Sequence, residues 1–425
     1  MLEPDDLADF GYRPPQDDPT PAAAPWSPPE LEPGSATSQA VLAAWRGDPA
    51  IIVKSPPGGG KSRLVVHLVA WLAGPAGLTV RVVTATNHQA ASLTQRLADV
   101  LPPGVITWAP SLTSGFDPVS SQPDAVQAFG RNVTVSTAAS LAITAFRRRG
   151  DVGADIVIFD EAYQITMAQF AAAAGNASQV VLVGDPGQIG PVVTVDTTAW
   201  ASLPAGPHMR SPDALESARS LTPTVITMPD TWRFGRATVE AIAPLYSFPF
   251  GSRATLDRLT VDDGRALPEI AQFVVPVAAT PDSPEIAAAI TGLAGRLTGR
   301  PAVISGAARP LVASDVAVVV SRNTTATRVS SALRRDGLGA VTVGTADRLQ
   351  GGQWPLVIAL DPLTGSEEPG PHQTSPGRLC VMLSRHTGAC VWAHDGRSLT
   401  TLAQAKIRDS NVTVRSRLEA APYCP

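Results

Sequence analysis

The chain has 425 residues, of which 44% are hydrophobic and 16% charged, and a formal net charge of −4. This length predicts two or three domains with large cores. No stretch approaches the roughly 18 uninterrupted apolar residues of a membrane span, and the first residues lack the basic and apolar regions of a signal peptide. Three cysteines without CxxC spacing exclude a disulfide framework and a four-cysteine zinc site. We therefore expect a reduced, cytoplasmic protein without membrane contact or structural metal.

Residues 1–34 differ from the rest of the chain in composition. They hold eight acidic residues, nine prolines and a single arginine. So little apolar content predicts a disordered leader, and the alternative interpretation is a docking arm for a protein partner. Because this leader is acidic, the remaining chain carries a net charge of +3. A mildly basic body is compatible with a polyanionic partner.

From Ser35 onward, short β-branched runs alternate with segments of helical periodicity. The predicted strands are residues 51–53, 80–84, 133–136, 155–159, 180–183 and 225–227, then 273–275, 315–320, 340–343, 356–360 and 389–392. This alternation predicts an α/β protein with parallel sheets flanked by helices. We expect a first domain at 35–230, a second at 231–410 and a C-terminal tail at 411–425. Residues 102–131 and 364–377 are predicted to be a surface excursion and a long loop.

A glycine-rich segment, PPGGGKS, follows the first predicted strand and precedes a predicted helix. Backbone N–H groups of such a turn, together with the helix N-terminus, bind phosphate. Lys61 would reach the β- and γ-phosphates and Ser62 would hold Mg²⁺. The GxxxxGK[ST] pattern is met except that Ser55 replaces the first glycine. The predicted nucleotide contacts here are Pro57, Gly58, Gly59, Gly60, Lys61 and Ser62.

Two further strand ends carry polar residues suited to hydrolysis of a nucleoside triphosphate. Asp160 and Glu161 end a strand about a hundred residues after the phosphate loop. Asp160 can hold Mg²⁺ and Glu161 can polarise the attacking water. Gln188 follows the next strand, where its amide could lie beside the γ-phosphate. An acidic pair alone is a weak signal, but with the phosphate loop it indicates an ATP or GTP hydrolase.

The segments DEAYQ (160–164) and GDPGQIGP (184–191) resemble motifs II and III of superfamily 1 DNA and RNA helicases, particularly the branch of the nonsense-mediated-decay helicase. The family motifs read DEAxQ and GDxxQLxP, so isoleucine replaces a leucine. Similar motifs follow in family order from Ser38 to Arg385. The resemblance implies two tandem RecA-like domains with the nucleotide cleft between them.

By the same resemblance, further residues would contact the nucleotide, with ATP and Mg²⁺ as cofactors. Gln39 corresponds to the glutamine that reads adenine, and Trp232 to an aromatic that stacks on it. Arg233 and Arg385 correspond to arginines that meet the γ-phosphate. Gln350 and Gly351 lie in a segment that resembles motif V, although Gln353 replaces the family's glutamate. The implied catalytic set is Lys61, Glu161, Gln188, Arg233 and Arg385.

The resemblance also implies contacts to a single-stranded nucleic acid, with DNA favoured over RNA. Their positions match motifs Ia, Ic and V, and two tryptophans nearby are candidates for stacking on bases. These predicted contacts are Thr86, Asn87, Thr137, Thr345, Trp108 and Trp354. The other tryptophans considered, Trp45, Trp71, Trp200 and Trp392, are expected in the core.

Two functions remain open on the sequence. The first is an ATP-dependent helicase or single-strand translocase, with 5′-to-3′ movement implied by the resemblance. The alternative is a helicase-fold ATPase that acts as a switch or assembly subunit without unwinding on its own. Only about 35 residues separate the segments similar to motifs Ia and Ic, which leaves little room for an accessory domain there and favours the alternative.

Overall fold

The computed structural model describes residues 27–101, 106–108, 132–147, 153–218, 221–261, 264–278, 280–366 and 368–424. Residues 1–26, and with them most of the predicted leader, lie outside these ranges. So does most of the predicted excursion at 102–131. The backbone of residues 106–108 is described, but the side chain of Trp108 is not. No helix in the described part of the chain is long and apolar enough to cross a bilayer.

Thirteen α-helices occur within the described ranges. In chain order they are α1 Ala36–Trp45, α2 Lys61–Ala73, α3 Asn87–Ala98, α4 Ala138–Arg147, α5 Met167–Ala174, α6 Ser211–Ser217, α7 Arg236–Ile242, α8 Pro284–Leu297, α9 Asn323–Arg335, α10 Ala346–Leu349, α11 Pro376–Leu383, α12 Ser398–Gln404 and α13 Ser410–Glu419. Short 3-10 helices lie at Ala162–Gln164, Thr198–Trp200, Ala243–Leu245 and Ala313–Asp315.

Seventeen strands are present in the same ranges. They are β1 Ala50–Lys54, β2 Val80–Thr84, β3 Ile106–Trp108, β4 Val133–Thr137, β5 Ile156–Asp160, β6 Gln179–Gly184, β7 Thr224–Thr227, β8 Asp230–Thr231, β9 Gly251–Ser252, β10 Arg258–Leu259, β11 Ile270–Val274, β12 Pro301–Ile304, β13 Ala307–Pro310, β14 Val316–Val320, β15 Thr342–Thr345, β16 Trp354–Leu360 and β17 His386–His394.

These elements form two parallel sheets. The first has the order β3-β4-β2-β5-β6-β1-β7 and the second the order β11-β17-β16-β14-β15. Every pairing within both sheets is parallel. The predicted α/β class with parallel sheets is confirmed. A small antiparallel sheet, β10-β12-β13, and the pair β8-β9 complete the described strands.

Both large sheets are covered on two faces. Along β1, Ile51 and Val53 face one hydrophobic cluster that includes α1, α2 and α3, whereas Ile52 faces another that includes α4 and α5. In β14, Val318 and Val319 likewise face opposite clusters. Successive side chains of a strand point to opposite faces, so continuous β-branched runs at these positions are what a two-sided core requires.

The C-terminal segment differs from the predicted tail, because residues 410–419 form a packed helix. Its side chain Arg415 is fully buried and pairs with the buried Asp361, at 3.1 Å. Asn411, also buried, donates to the Thr374 carbonyl at 2.8 Å. The buried face of α13 therefore contains polar side chains, which hid its helical periodicity in the sequence.

The tryptophans expected in the core differ in their burial. Trp392 is fully buried in the second domain, as expected. Trp45 is 53% exposed, so that expectation was wrong. It ends α1, whose buried positions are mainly alanines, and its ring contacts the edge of Trp71 at the surface. Trp71 and Trp200 are only partly buried.

Candidate functional site

The phosphate loop lies at the carboxyl edge of the first sheet. It connects β1 to α2 and includes Gly58 and Gly60, with φ angles of +72° and +92°. Only glycine adopts such angles without strain. Helix α2 has no side-chain cap at its N-terminus. Its first N–H groups, together with the positive end of the helix dipole, therefore suit an anion.

The loop is in direct contact with residues 231–233, which lie between the first large sheet and α7. A Cβ atom on Gly58 would lie 2.5 Å from the Arg233 Cβ, so the glycine permits this approach. The Thr231 hydroxyl donates to the Pro57 carbonyl at 2.7 Å, and the Trp232 N–H donates to the Gly58 carbonyl at 3.0 Å. The Pro57 carbonyl is thus already bonded to the Thr231 hydroxyl.

The acidic pair ends β5, two strands away from β1. Asp160 is buried, and this burial, followed by the neighbouring Glu161 carboxylate, raises the pKa of Asp160 to about 7. Glu161 has left-handed backbone angles, with φ of +56°. This turn brings its carboxylate to 3.5 Å from the Lys61 ammonium. The acidic pair and the phosphate loop therefore lie next to each other at Lys61.

Gln188 lies in a chain of polar contacts that joins the regions of the two large sheets. Its amide nitrogen donates to the Asp185 carboxylate at 2.6 Å. Its amide oxygen accepts from the Gln350 side chain of the second domain at 3.2 Å. Asp185 also accepts from the Tyr246 hydroxyl at 2.9 Å. Burial raises the pKa of Asp185.

The two predicted arginines share one region of the second domain. Arg233 donates to the Gln353 side chain at 3.3 Å and to the Ser384 carbonyl at 3.1 Å. Arg385 is 1% exposed and donates to the Ser384 hydroxyl at 3.2 Å. Burial, followed by the charge of Arg385, lowers the pKa of Arg233 to about 9. Arg233 therefore remains a cation near neutral pH, and burial also lowers the pKa of Arg385.

A cavity of about 1060 Å³ contains most of the predicted site. It is lined by residues from the segments that carry the first and the second large sheet. The predicted residues that line it are Gly58, Gly59, Gly60, Lys61, Ser62, Thr86, Asp160, Glu161, Gln188, Trp232, Arg233, Gln350, Gly351 and Arg385. Trp232 is 62% exposed, which leaves its ring open to a ligand. The fold therefore brings these motifs to one place.

Other predicted residues lie outside this cavity. Gln39 is exposed, and its amide donates to the Gly34 carbonyl at 2.9 Å. Thr345 lines a separate cavity of about 470 Å³ with the β14–α9 turn. Trp354 is partly buried against the core of the second domain, next to Gly352. Asn87 is not a lining residue.

Two predicted nucleic-acid contacts have a clear role within the fold. The Thr86 hydroxyl accepts the Gln89 N–H at 3.3 Å and caps α3. The Thr137 hydroxyl accepts the Ser140 N–H at 3.2 Å, at the start of α4. Ser and Thr at such positions stabilise helix N-termini. Their contacts to nucleic acid remain predictions.

The sequence missed Tyr246 and part of the cavity's positive charge. Arg63, Arg96 and Arg348 also line the cavity. In the described part of the chain, none of these three arginines has an ion-pair partner within 4 Å. Arg96 was hidden because it looks like any exposed residue of an amphipathic helix. Tyr246 was hidden because its position depends on contacts with residues far away in sequence, Asp185 and Gly187.

The groups present fit ATP and Mg²⁺. The Arg385 Nε atom is buried without a hydrogen-bond partner among the described residues. Such a donor is costly unless a ligand satisfies it, and a phosphate oxygen would do so. Ser62 and Asp160 line the same cavity and offer hydroxyl and carboxylate oxygens, the ligands that Mg²⁺ prefers. ATP also requires a cationic surrounding, which Lys61 and the arginines supply.

The chain is similar to one family model and to several solved structures. Residues 37–194 match an AAA domain family, AAA_19. No curated protein sequence matches the chain. Among solved structures, arterivirus nonstructural protein 10 (helicase) is similar, with 16% identity and a TM-score of 0.46 over 87% of this chain and 63% of that one.

Two further structures give similar values. The complex of arterivirus nonstructural protein 10 (helicase) with DNA has 16% identity and a TM-score of 0.45, covering 87% of this chain and 64% of that one. The PRRSV helicase has 16% identity and a TM-score of 0.44, covering 86% and 55%. The chain thus spans less than two thirds of the length of these proteins.

The AAA domain match covers the phosphate loop, the acidic pair and Gln188. The motifs found downstream of it supply the opposite wall of the same cavity. Residues 37–194 are therefore similar to an AAA domain, and the cavity combines them with residues that lie downstream of this match.

Proposed function

We propose that the chain is an ATP-dependent helicase or single-strand translocase that hydrolyses ATP in the cleft between its two domains. We further propose that it moves 5′ to 3′ and prefers DNA to RNA. One observation carries the proposal: Lys61, Glu161 and Gln188 of the first domain line the same cavity as Arg233 and Arg385 of the second.

The residues of this cavity have separate tasks in the proposed reaction. Lys61 and the loop N–H groups bind the phosphates, while Ser62 and Asp160 would hold Mg²⁺. The metal ion neutralises charge on the phosphate oxygens when bound. Glu161 orients the attacking water and accepts its proton. The Lys61–Glu161 ion pair keeps these two side chains together before ATP binds.

The arginines complete this site from the second domain. Arginines that reach a transferring phosphoryl group contribute on the order of 10³-fold or more to its rate. Burial strengthens their effect, because charge is poorly screened away from water. Loss of the γ-phosphate removes the anion that holds both walls together, and this release would let the domains separate once per cycle.

Unpaired positive charge supports a nucleic-acid partner. Arg63, Arg96 and Arg348 line the cavity without an ion-pair partner among the described residues. Phosphate backbones bind through such cations. Gln188 and Gln350 connect the two domains at the same cavity, so movement between them can be coupled to a strand that lies across both.

The proposal is tested by the rate of ATP hydrolysis with single-stranded DNA, single-stranded RNA and duplex DNA. We expect the largest stimulation with single-stranded DNA. Unwinding is then measured on duplexes with a 5′ or a 3′ tail, where only the 5′-tailed substrate should be separated. Lys61→Ala is the control that must abolish both activities. An absence of stimulation by either nucleic acid would contradict the proposal.

One result would favour the switch or assembly function instead. It is ATP hydrolysis without unwinding, together with a protein partner that is retained by the full chain and lost when residues 1–34 are removed. Robust unwinding by the isolated chain would exclude that alternative.

A further inference from the structure

Tyr246 reaches from the second domain into the turn that carries Gln188. Its ring contacts Phe248 and Phe250 edge-on, with centroids 5.6 and 5.0 Å away. On its other side lies Gly187, where an added Cβ atom would be only 2.2 Å from the ring. The ring therefore occupies the space that any other residue at position 187 would fill. Two aromatic neighbours and this close approach fix its place.

The hydroxyl group of Tyr246 has a buried partner. It donates to one oxygen of Asp185 at 2.9 Å, and that oxygen also accepts the Gly187 N–H at 3.0 Å. Asp185 is 1% exposed. A buried carboxylate needs several donors to offset its lost hydration. The tyrosine therefore supplies one of the bonds that hold this carboxylate in place.

Asp185 in turn orients Gln188. The second oxygen of Asp185 accepts the Gln188 amide N–H at 2.6 Å, and the Gln188 amide oxygen accepts from Gln350 at 3.2 Å. Both ends of the amide are thereby fixed, and one N–H of its NH₂ group is left for a further acceptor. The chain Tyr246–Asp185–Gln188–Gln350 begins and ends in the second domain and passes through the first.

We infer that Tyr246 is a positioning residue, which holds Gln188 for the γ-phosphate when the two domains are together. This inference rests on the proposed ATP hydrolysis in the cleft. Domain separation would break the bonds at Tyr246 and Gln350 together, so the amide would lose its orientation whenever the cleft opens. Hydrolysis is thus confined to the closed arrangement.

The test is Tyr246→Phe in the full chain, with kcat and KM for ATP measured with and without single-stranded DNA. The ring contacts stay, while the hydrogen bond to Asp185 and a weaker contact of the hydroxyl with the Cys380 Sγ atom at 3.1 Å are lost. We expect kcat to fall about tenfold, the effect of one buried hydrogen bond. KM should change less than about twofold, because phosphate binding by Lys61 is untouched. Tyr423→Phe, at an exposed tyrosine, is the matched control.

A double-mutant cycle separates positioning from a structural role. If Tyr246 acts through Gln188, then Tyr246→Phe should have little further effect on kcat in a Gln188→Ala background. Gly187→Ala, which displaces the ring, should reproduce the loss of kcat. Additive effects on kcat, or a lower melting temperature with unchanged kcat, would overturn the inference. Inactive wild-type protein would instead refute the proposed function itself.

Discussion

The two walls of the cleft are built differently. The first wall, beside the first large sheet, consists of loops that directly follow β1, β5 and β6, so its residues are set by short sequence motifs. The second wall, beside the second large sheet, is held by contacts between distant segments. Arg233 bonds to Gln353 and Ser384, which lie 120 and 151 residues further along the chain. Local sequence thus determines the groups that bind phosphate. Contacts between distant segments determine where the arginines of the second wall lie.

Charge also distinguishes the two walls. In the first, Lys61 is paired with Glu161. In the second, neither Arg233 nor Arg385 has a carboxylate within ion-pair distance among the described residues. Burial, followed by the charge of Arg385, lowers the pKa of Arg233. One wall is internally compensated, and the other carries repulsion that a triphosphate would relieve. The binding of a triphosphate should therefore gain more electrostatic free energy at the second wall than at the first.

The largest effect is expected from a substitution of Lys61 in the first wall. We expect Lys61→Ala to lower kcat/KM for ATP by about 10³-fold or more, because the main cation of the first wall is lost next to the phosphates. Steady-state ATPase assays measure this. The folded state should persist in circular dichroism. A loss below tenfold would show that the first wall does not dominate phosphate binding.

Arg385→Gln tests the second wall. We expect kcat to fall about 10²- to 10³-fold, while the Kd for ATP rises less than about tenfold, because the arginine acts on the transferring group. The melting temperature should not fall, since a repulsive buried cation is removed. Equilibrium binding of a fluorescent ATP analogue and thermal unfolding check both parts. A Kd that rises as much as kcat falls would contradict this division of roles.

Arg415→Leu tests how much a contact between distant segments contributes to stability. It leaves Asp361 buried without its cation, which costs about 3–5 kcal/mol of unfolding free energy. Urea unfolding measures this change. The double variant with Asp361→Asn should recover part of the loss, because no charge remains unpaired. Equal destabilisation in both variants would show that packing, rather than the ion pair, is responsible.

Much of the first wall could be predicted from sequence, because a glycine turn and a strand-end carboxylate each carry their chemistry within a few residues. The parallel α/β class followed from strand runs such as 316–320. The role of Tyr246 could not be predicted, because it depends on contact with Gly187, which lies 59 positions earlier in the chain. Helix α13 was missed because Asn411 and Arg415 place polar groups on its buried face.

The smallest effect is expected at Glu419, far from the cleft. Burial, followed by the Asp361 charge, raises the pKa of Glu419 to about 7, and one of its oxygens is buried without a hydrogen-bond partner among the described residues. A raised carboxyl pKa in the folded state means that stability falls as pH rises from about 4.5 to 7.

Glu419→Gln removes this dependence. We expect the variant to be more stable than the wild type above pH 7, by on the order of 1 kcal/mol after solvent screening. The advantage should disappear below about pH 4.5, where the wild-type side chain is protonated in both states. Melting temperatures at pH 5 and pH 8 check this. A constant difference between the two pH values would exclude titration of Glu419 as its cause.

The left-handed turn at Glu161 places two conflicting demands on one position. Its backbone angles suit glycine or asparagine, and a longer side chain there costs about 1 kcal/mol or more. The proposed chemistry nevertheless needs a carboxylate with reach. Attempts to make this protein more heat-resistant by relaxing unfavourable turns should therefore spare residue 161. Gains in stability there would be made at the expense of turnover.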